Sequence, residues 1–185
     1  MPIDFSPTAP RNAAQWNAND LVQQYQYASI SGWLTYWEAA AREYGLEPED
    51  IMAVDSRESG CYWRTRGAKV TGDKDKAFGL GQEHIEPGET AQQLEDPEFN
   101  IRDTAHRLSS NLIELQRLFA KDGLTPDPAV LEEMKFSSYN RGANGAYQGW
   151  KKTGNASAVT ENGDYGSDCI ARSVVFKALQ SPGAP

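Results

Sequence analysis

The chain has 185 residues, of which 39% are hydrophobic and 24% charged, and its formal net charge is −8. This length and apolar content fit one globular domain with a single core. The negative charge argues against nucleic-acid binding, because phosphate contacts need clustered Lys and Arg. No run of 18 apolar residues is present, so we expect no membrane insertion.

The two ends of the chain are expected to lie outside the domain. The first ten residues contain three prolines and lack the basic end and apolar centre of a secretory signal. We therefore expect an extended lead-in over residues 1–18 and no signal peptide. Residues 181–185 contain proline and glycine and are expected to form a flexible tail. The predicted domain spans residues 19–180.

Three helices are predicted in the first third of the chain. Asn19 and Asp20 could cap the first, Gly45 ends the second, and Pro48 occupies the favoured first turn of the third. Trp33 and Trp37, one helical turn apart, are expected in the core. The predicted helices cover residues 19–30, 35–44 and 48–58.

Glu58 closes the third helix on the same stripe as Ile51 and Val54, in the i, i+3, i+7 spacing of a buried face. Partial desolvation would raise the pKa of its carboxyl group, and Asp55 adds a like charge one turn earlier. Glu58 is therefore a candidate proton donor. The alternative is a helix-end carboxylate paired with a nearby arginine: Arg57, Arg64 or Arg66.

The sequence after Glu58 completes the prediction of a mainly α fold. Residues 60–88, rich in glycine, favour a loop region or a small β-wing. A central buried helix follows, with an apolar stripe of period four and three. A further helix is predicted from Asp127 to about Tyr139, a turn over 142–149, and a final helix marked by Ile170, Val174 and Leu179. The stripe of the central helix is Ile101, Ala105, Leu108, Leu112, Leu115 and Phe119.

The cysteines and histidines do not predict a metal site. Cys61 and Cys169 lack zinc-site spacing, and we expect a buried free pair, with one long-range disulfide as the alternative. His84 and His106 are too far apart for a helical ligand pair. The loop over residues 72–76 lacks the Glu that closes an EF-hand, so a solvated turn is favoured over a Ca²⁺ site. We expect no cofactor.

Four segments resemble, in this order, the motifs of soluble lytic transglycosylases and goose-type lysozymes. The resemblance covers roughly residues 35–180 and implies a lysozyme-like α+β single domain. It also implies cleavage of the β-1,4 bond between N-acetylmuramic acid and N-acetylglucosamine in peptidoglycan, with Glu58 at the position of the catalytic acid. The segments are Glu58-Ser-Gly60, Ala77-Phe-Gly-Leu-Gly-Gln82, Asn100-Ile101 and Phe136-Ser-Ser-Tyr-Asn-Arg-Gly142.

The resemblance also places the residues expected to contact the substrate. Gly79, Leu80 and Gly81 let the backbone pass close to a sugar, and Gln82 offers an amide donor and acceptor. Tyr139 and Asn140 match a cleft Tyr and its neighbouring Asn, and the phenol could hydrogen-bond the acid or the substrate. Ser59, Asp75 and His84 are placed in the same site, Ser59 also steadying the helix end. Trp63 and Trp150 could stack on sugar rings.

A second carboxylate decides between two reactions. Asp73 precedes the Phe-Gly-Leu segment at the interval of the goose-type pattern and is the candidate base, with Asp75 next. The match is incomplete, because His84 stands where goose-type enzymes carry another Asp. Asp73 therefore predicts hydrolysis, and without a working base the enzyme would be a lytic transglycosylase that forms anhydro-muramoyl ends. Further departures are Gly81 for a common Met, Asp55 for an apolar residue and Arg141 for a small one.

Two other functions stay open at this point. One is a non-catalytic peptidoglycan-binding module. The other is an antibacterial toxin held by a cognate immunity or inhibitor protein, which overlaps with the enzyme hypothesis. We expect a monomer that acts in the periplasm or cell wall of a target bacterium, delivered by a phage or a specialised secretion system.

Overall fold

The computed structural model describes residues 17–62 and 76–181. Within these ranges the protein is mainly helical, as predicted, and its two short strands form an antiparallel sheet. None of the helices in these ranges is long and apolar enough to cross a membrane. The elements are α1 Ala18–Ile30, α2 Leu34–Tyr44, α3 Pro48–Ser59, β1 Ala77–Phe78, β2 Glu83–His84, α4 Ala91–Leu94, α5 Pro97–Lys121, α6 Pro128–Thr153 and α7 Tyr165–Leu179, with 3-10 turns at Gly60–Tyr62 and Glu161–Gly163.

The start of α1 differs from the prediction, whereas the limits of the next two helices agree with it. Asn17, not Asn19, caps α1: its side chain accepts the Asp20 N–H at 3.1 Å, and the Asp20 carboxylate accepts the Asn17 N–H at 3.0 Å. This reciprocal pair is a capping box. Gly45 ends α2 in the left-handed conformation at φ 68°, and Pro48 opens α3, both as predicted.

The main core lies where α3 and α5 meet α7 and α2. The predicted stripe of α5 faces inward, and Ile101, Ala105 and Leu108 are fully buried. Trp33 and Trp37 are also core residues, as expected. Since α3 packs between α5 and α7, its C-terminal end and Glu58 are held by elements from both halves of the chain.

Helix α6 is longer than predicted. The expected turn over 142–149 is a single break at Gly142 (φ 69°, ψ 156°), after which the helix continues to Thr153. Burial of Ala146 and Tyr147 outweighs the low helix propensity of the glycines. The Trp150 ring is partly buried and lies 4.9 Å from the Phe119 ring beside a second core cluster, and its stacking on sugar rings stays a prediction.

The final helix exists as predicted, but the residues that mark it in the sequence are not all buried. Val174 is 63% exposed, and the buried face carries Cys169, Arg172 and Phe176. The Arg172 guanidinium can be buried on this face because it donates to the Asp168 carboxylate at 2.7 Å. A charged residue on the buried face hides the apolar periodicity of the helix in the sequence. Cys61 and Cys169 are both buried and free, as expected.

The region between α3 and α5 contains the expected β-wing in a minimal form. Strands β1 and β2 pair with Ala77 opposite His84 and Phe78 opposite Glu83. The loop between them carries Gly79 to Gln82 and is held on α5 by Asn100. Residues 63–75, with Trp63, Asp73 and Asp75, lie outside the described residues.

Candidate active site

Glu58 lies in the last turn of α3 and is partly buried. Its Oε1 accepts a short hydrogen bond from the Tyr165 hydroxyl. Burial, and to a smaller extent the negative charge of Glu161, raise the pKa of Glu58 to about 7, against the opposing effects of Tyr165 and Arg57. The carboxyl group can therefore hold a proton near neutral pH and release it, which is the property predicted for it.

Tyr165 is the residue that fixes Glu58, and sequence reasoning missed it. It opens α7, 107 positions after Glu58, and no local pattern connects the two. Its ring lies under the Arg57 guanidinium, 5.2 Å from the centroid. Arg57 in turn bonds Asp168 at 3.0 Å and Asp164 at 3.1 Å. The guanidinium of Arg57 thus joins α3 to the start of α7, and its hydrogen bonds do not go to Glu58.

Replacing Tyr165 with phenylalanine is expected to raise the pKa of Glu58 further. The hydroxyl stabilises the ionised carboxylate and so lowers the pKa of Glu58. Without the hydroxyl, less counteracts the rise in this pKa that burial causes. Carbon NMR titration of the Glu58 carboxyl measures this directly. Tyr147→Phe is the matched control, because that hydroxyl donates to Asp122 at 2.8 Å in the other core cluster. A lower or unchanged pKa in Tyr165→Phe would contradict this assignment.

The hairpin loop is fastened to α5 by Asn100. The Asn100 side chain is fully buried and its Oδ1 accepts the Gly81 N–H at 2.8 Å. Gly79 has φ +79°, and a Cβ there would come within 2.1 Å of Asn100 Nδ2. Gln82, at φ 50°, closes the loop by donating its Nε2 to the Gly79 carbonyl at 2.8 Å. The Asn100-Ile101 segment thus serves as the anchor of this loop.

Gly81 has no room for a side chain. A Cβ at this position would lie 2.3 Å from Thr104 Oγ1 and 2.5 Å from the Tyr139 hydroxyl. The methionine that is common at the matching position of the resembling enzymes could not fit here without moving both groups. Glycine at position 81 is therefore required by Thr104 and Tyr139, whose hydroxyl groups pack behind the loop.

Tyr139 and Asn140 each hold a neighbouring segment, and the predicted contact of the Tyr139 phenol with the substrate stays a prediction. The Tyr139 hydroxyl lies 2.9 Å from the Gly81 carbonyl oxygen and 2.9 Å from Glu83 Oε1. In this structure it bonds the loop and not the acid, although the charge of Glu58 acts on it and contributes to raising its pKa. Asn140 Oδ1 accepts the Glu161 N–H at 3.2 Å and so holds the turn that carries Glu161.

The other predicted site residues have varied positions. The Ser59 hydroxyl donates to the Asp55 carbonyl at 3.0 Å, which steadies the helix end. The Leu80 side chain is fully buried, so a contact with a ligand at this position would come from its backbone. His84 is exposed on β2. Asp73, Asp75 and Trp63 lie outside the described residues, and their placement stays a prediction.

Two buried carboxyl groups lie behind the loop. Asp55 is 0% exposed, and its Oδ2 accepts the Trp37 indole N–H at 2.7 Å. Glu83 is 3% exposed, and its Oε2 accepts from Asn100 Nδ2 at 3.0 Å. Burial raises the pKa of Asp55 to about 7 and that of Glu83 well above its ordinary value. Sequence reasoning did not select Glu83, because a carboxylate directly after a glycine-rich segment suggests a position in solvent.

Two cavities of about 380 and 180 Å³ lie away from Glu58. The larger is bordered by the turn between α2 and α3 and by α3, α5, α6 and α7, and it includes the Lys135–Asp50 ion pair. The smaller lies beside Tyr44 and His106. Among the described residues, no group of three or more His, Cys, Asp or Glu side chains is arranged to hold a metal ion. Most of the 72–76 loop, where a Ca²⁺ site is the less favoured alternative to a solvated turn, lies outside the described residues.

Comparison with known proteins adds no assignment. No family model matches the chain, and no curated protein matches it.

Proposed function

We propose that the protein is a peptidoglycan-degrading muramidase with a lysozyme-like fold and Glu58 as its general acid. The observation that carries the proposal is a partly buried glutamate with a pKa of about 7, held by Tyr165 at the end of α3. The ordered motifs shared with goose-type lysozymes and soluble lytic transglycosylases supply the substrate class. The bond to be cut is the β-1,4 link between N-acetylmuramic acid and N-acetylglucosamine.

In the proposed reaction Glu58 donates its proton to the glycosidic oxygen as the bond to the sugar breaks. The Tyr165 hydroxyl keeps the carboxyl group in one orientation and stabilises the carboxylate that remains. The Gly79–Gln82 backbone, anchored by Asn100, would form one wall of the cleft. Tyr139 supports this wall through its hydrogen bond to the Gly81 carbonyl.

The base that activates water in a hydrolytic reaction must be exposed to the cleft. Asp55 and Glu83 are too deeply buried for this role. Asp73 remains the proposed base. Glu161 is a second candidate among the described residues, because it is exposed and its charge acts on Glu58. If neither carboxylate serves, the acetamido and 6-hydroxyl groups of the substrate would complete a transglycosylase reaction.

Mass spectrometry of digested sacculi tests the reaction type. We expect wild-type protein to release muropeptides with reducing ends, and Asp73→Asn to lose this hydrolysis. Glu161→Gln is the matched control and keeps the reducing products if Asp73 is the base. Products lighter by one water, at a rate that Asp73→Asn leaves unchanged, would assign the transglycosylase route instead.

The proposed site of action is the cell wall or periplasm of a target bacterium. Peptidoglycan strands are the proposed partner, and an immunity or inhibitor protein is a further one.

A further inference from the structure

Four oxygen-to-oxygen contacts connect the two buried carboxyl groups to the cleft wall. Thr104 Oγ1 lies 3.3 Å from Asp55 Oδ1 and 2.9 Å from Glu83 Oε1. The Tyr139 hydroxyl oxygen lies 2.9 Å from the same Glu83 oxygen and 2.9 Å from the Gly81 carbonyl. The contacts run from α3 through α5 and β2 to α6.

Each of these four contacts needs its own hydrogen atom to be a hydrogen bond. Thr104 and Tyr139 supply one hydrogen each, and the Gly81 carbonyl supplies none. Two ionised carboxylates would therefore leave two of the contacts as repulsive oxygen pairs in a buried site, where unpaired polar groups are costly. The remaining two hydrogens can come from the carboxyl groups themselves.

The direction of the chain follows from its end. The hydrogen between Tyr139 and Gly81 must belong to the tyrosine, so the next one must belong to Glu83. Since the Glu83 hydrogen is then engaged, Thr104 donates to Glu83 and Asp55 donates to Thr104. The other oxygen of each carboxyl group stays an acceptor, and each accepts an N–H, from Trp37 and from Asn100.

We propose that Asp55 and Glu83 are positioning residues that both carry a proton and form, with Thr104 and Tyr139, a one-directional chain of four hydrogen bonds supporting the cleft wall. The part of this inference that concerns the cleft rests on the proposed function. The part that concerns the protons does not.

The titratable and charged groups that face the hydrogen-bond chain are consistent with two neutral carboxyl groups. Asp55 is faced by Glu58, Cys61 and Tyr139, none of which carries a positive charge. Glu83 is faced by Asp103, whose hydrogen bond and charge both raise the pKa of Glu83, and by Arg107 at 3.7 Å, which lowers it. The positive charge of Arg107 is shared with three further carboxylates: Asp103, Glu86 and Glu89.

The absence of a side chain at Gly81 leaves the space that this hydrogen-bond chain occupies. A side chain at position 81 would overlap Thr104 and the Tyr139 hydroxyl, and its Cβ would lie 3.2 Å from Glu83 Oε1. The small residue at 81 therefore makes room for the polar groups that the acid at 55 requires as partners.

Infrared spectroscopy tests the protons without a substrate. In a Glu58→Gln parent at about pH 6, most carboxyl groups are ionised, so protonated ones absorb in a separate band. Asp55→Asn and Glu83→Gln are each expected to reduce this band, because each amide replaces a protonated acid of the same shape. Glu43→Gln is the control and should leave the band unchanged, since Arg102 lowers the pKa of Glu43. A band that survives either core substitution intact overturns the proposal.

The positioning role is tested with Thr104→Ser and Thr104→Val. Serine keeps the bridging hydroxyl, whereas valine keeps the shape and removes both contacts. We expect Thr104→Val to lower kcat/KM on sacculi by about tenfold relative to Thr104→Ser, which corresponds to one net hydrogen bond. Circular dichroism confirms that both are folded. Equal activity of the two overturns the positioning role.

The proposed function and the protonation of the two carboxyl groups can be contradicted independently. If neither wild type nor Thr104→Ser digests sacculi, the proposed function is wrong, and the infrared result still decides whether the carboxyl groups are protonated.

Discussion

Replacing Glu58 with glutamine is expected to lower the rate of sacculus digestion by roughly 10²–10⁴, the range supplied by a positioned general acid. Glutamine keeps the size of the side chain and can accept the Tyr165 hydroxyl hydrogen, but it has no acidic proton to donate. The fold should therefore persist while the reaction slows. Turbidity loss of purified sacculi measures the rate, and circular dichroism checks the fold.

The control for this experiment is Glu38→Gln, which removes an exposed glutamate from α2 and should leave the rate unchanged. Equal turbidity loss with wild type and Glu58→Gln would contradict catalysis by Glu58 and would favour a peptidoglycan-binding module.

The same substitution has an expected effect on stability that depends on pH. The pKa of Glu58 is raised in the folded state from its ordinary 4.5 to about 7, so the folded protein binds this proton more tightly than the unfolded chain. The contribution of Glu58 to stability is therefore full below about pH 4.5, falls as the pH rises and is lost above about pH 7. Urea unfolding should show that the free energy of unfolding of Glu58→Gln, relative to that of wild type, increases over this interval by at most about 3 kcal/mol.

The sequence was sufficient for the elements whose signals are local. The apolar stripe of α5, Gly45 after α2 and Pro48 at the start of α3 each act within one or two helical turns. The position of Glu58 was predictable for the same reason, since Ile51 and Val54 define the buried face of its own helix. Partial burial of that face is enough to account for the direction of its pKa shift.

The partners of these residues could not be predicted, because they depend on contacts between distant parts of the chain. Tyr165 and Glu58 are joined only when α7 packs on α3. The break at Gly142 gives no local sign that the helix resumes, since what restores it is burial of Ala146 and Tyr147 in the second core cluster. Glu83 was overlooked because a carboxylate in a glycine-rich loop suggests solvent, and only Asn100 and Thr104 reveal its burial.

Gly81→Ala is expected to destabilise the protein by about 1–3 kcal/mol, the usual effect of forcing an extra carbon into a packed site. The new Cβ would lie 2.3 Å from Thr104 Oγ1 and 2.5 Å from the Tyr139 hydroxyl, so both groups must move. Tyr139 would then lose its bond to the Gly81 carbonyl, and the wall formed by the loop would shift. A displacement of about 1 Å near a reacting bond can lower the rate about a hundredfold.

Gly145→Ala is the matched control for this substitution. Gly145 lies within α6, and a Cβ there would come no closer than 3.4 Å to Arg141. Alanine should raise stability by up to about 1 kcal/mol, because glycine is a poor helix former. Urea unfolding and sacculus digestion of the two variants separate the effect of the site from that of losing a glycine. If Gly81→Ala matches Gly145→Ala in both measurements, the groups behind the loop are not packed as tightly as the site requires, and the role of Tyr139 in supporting the wall is wrong.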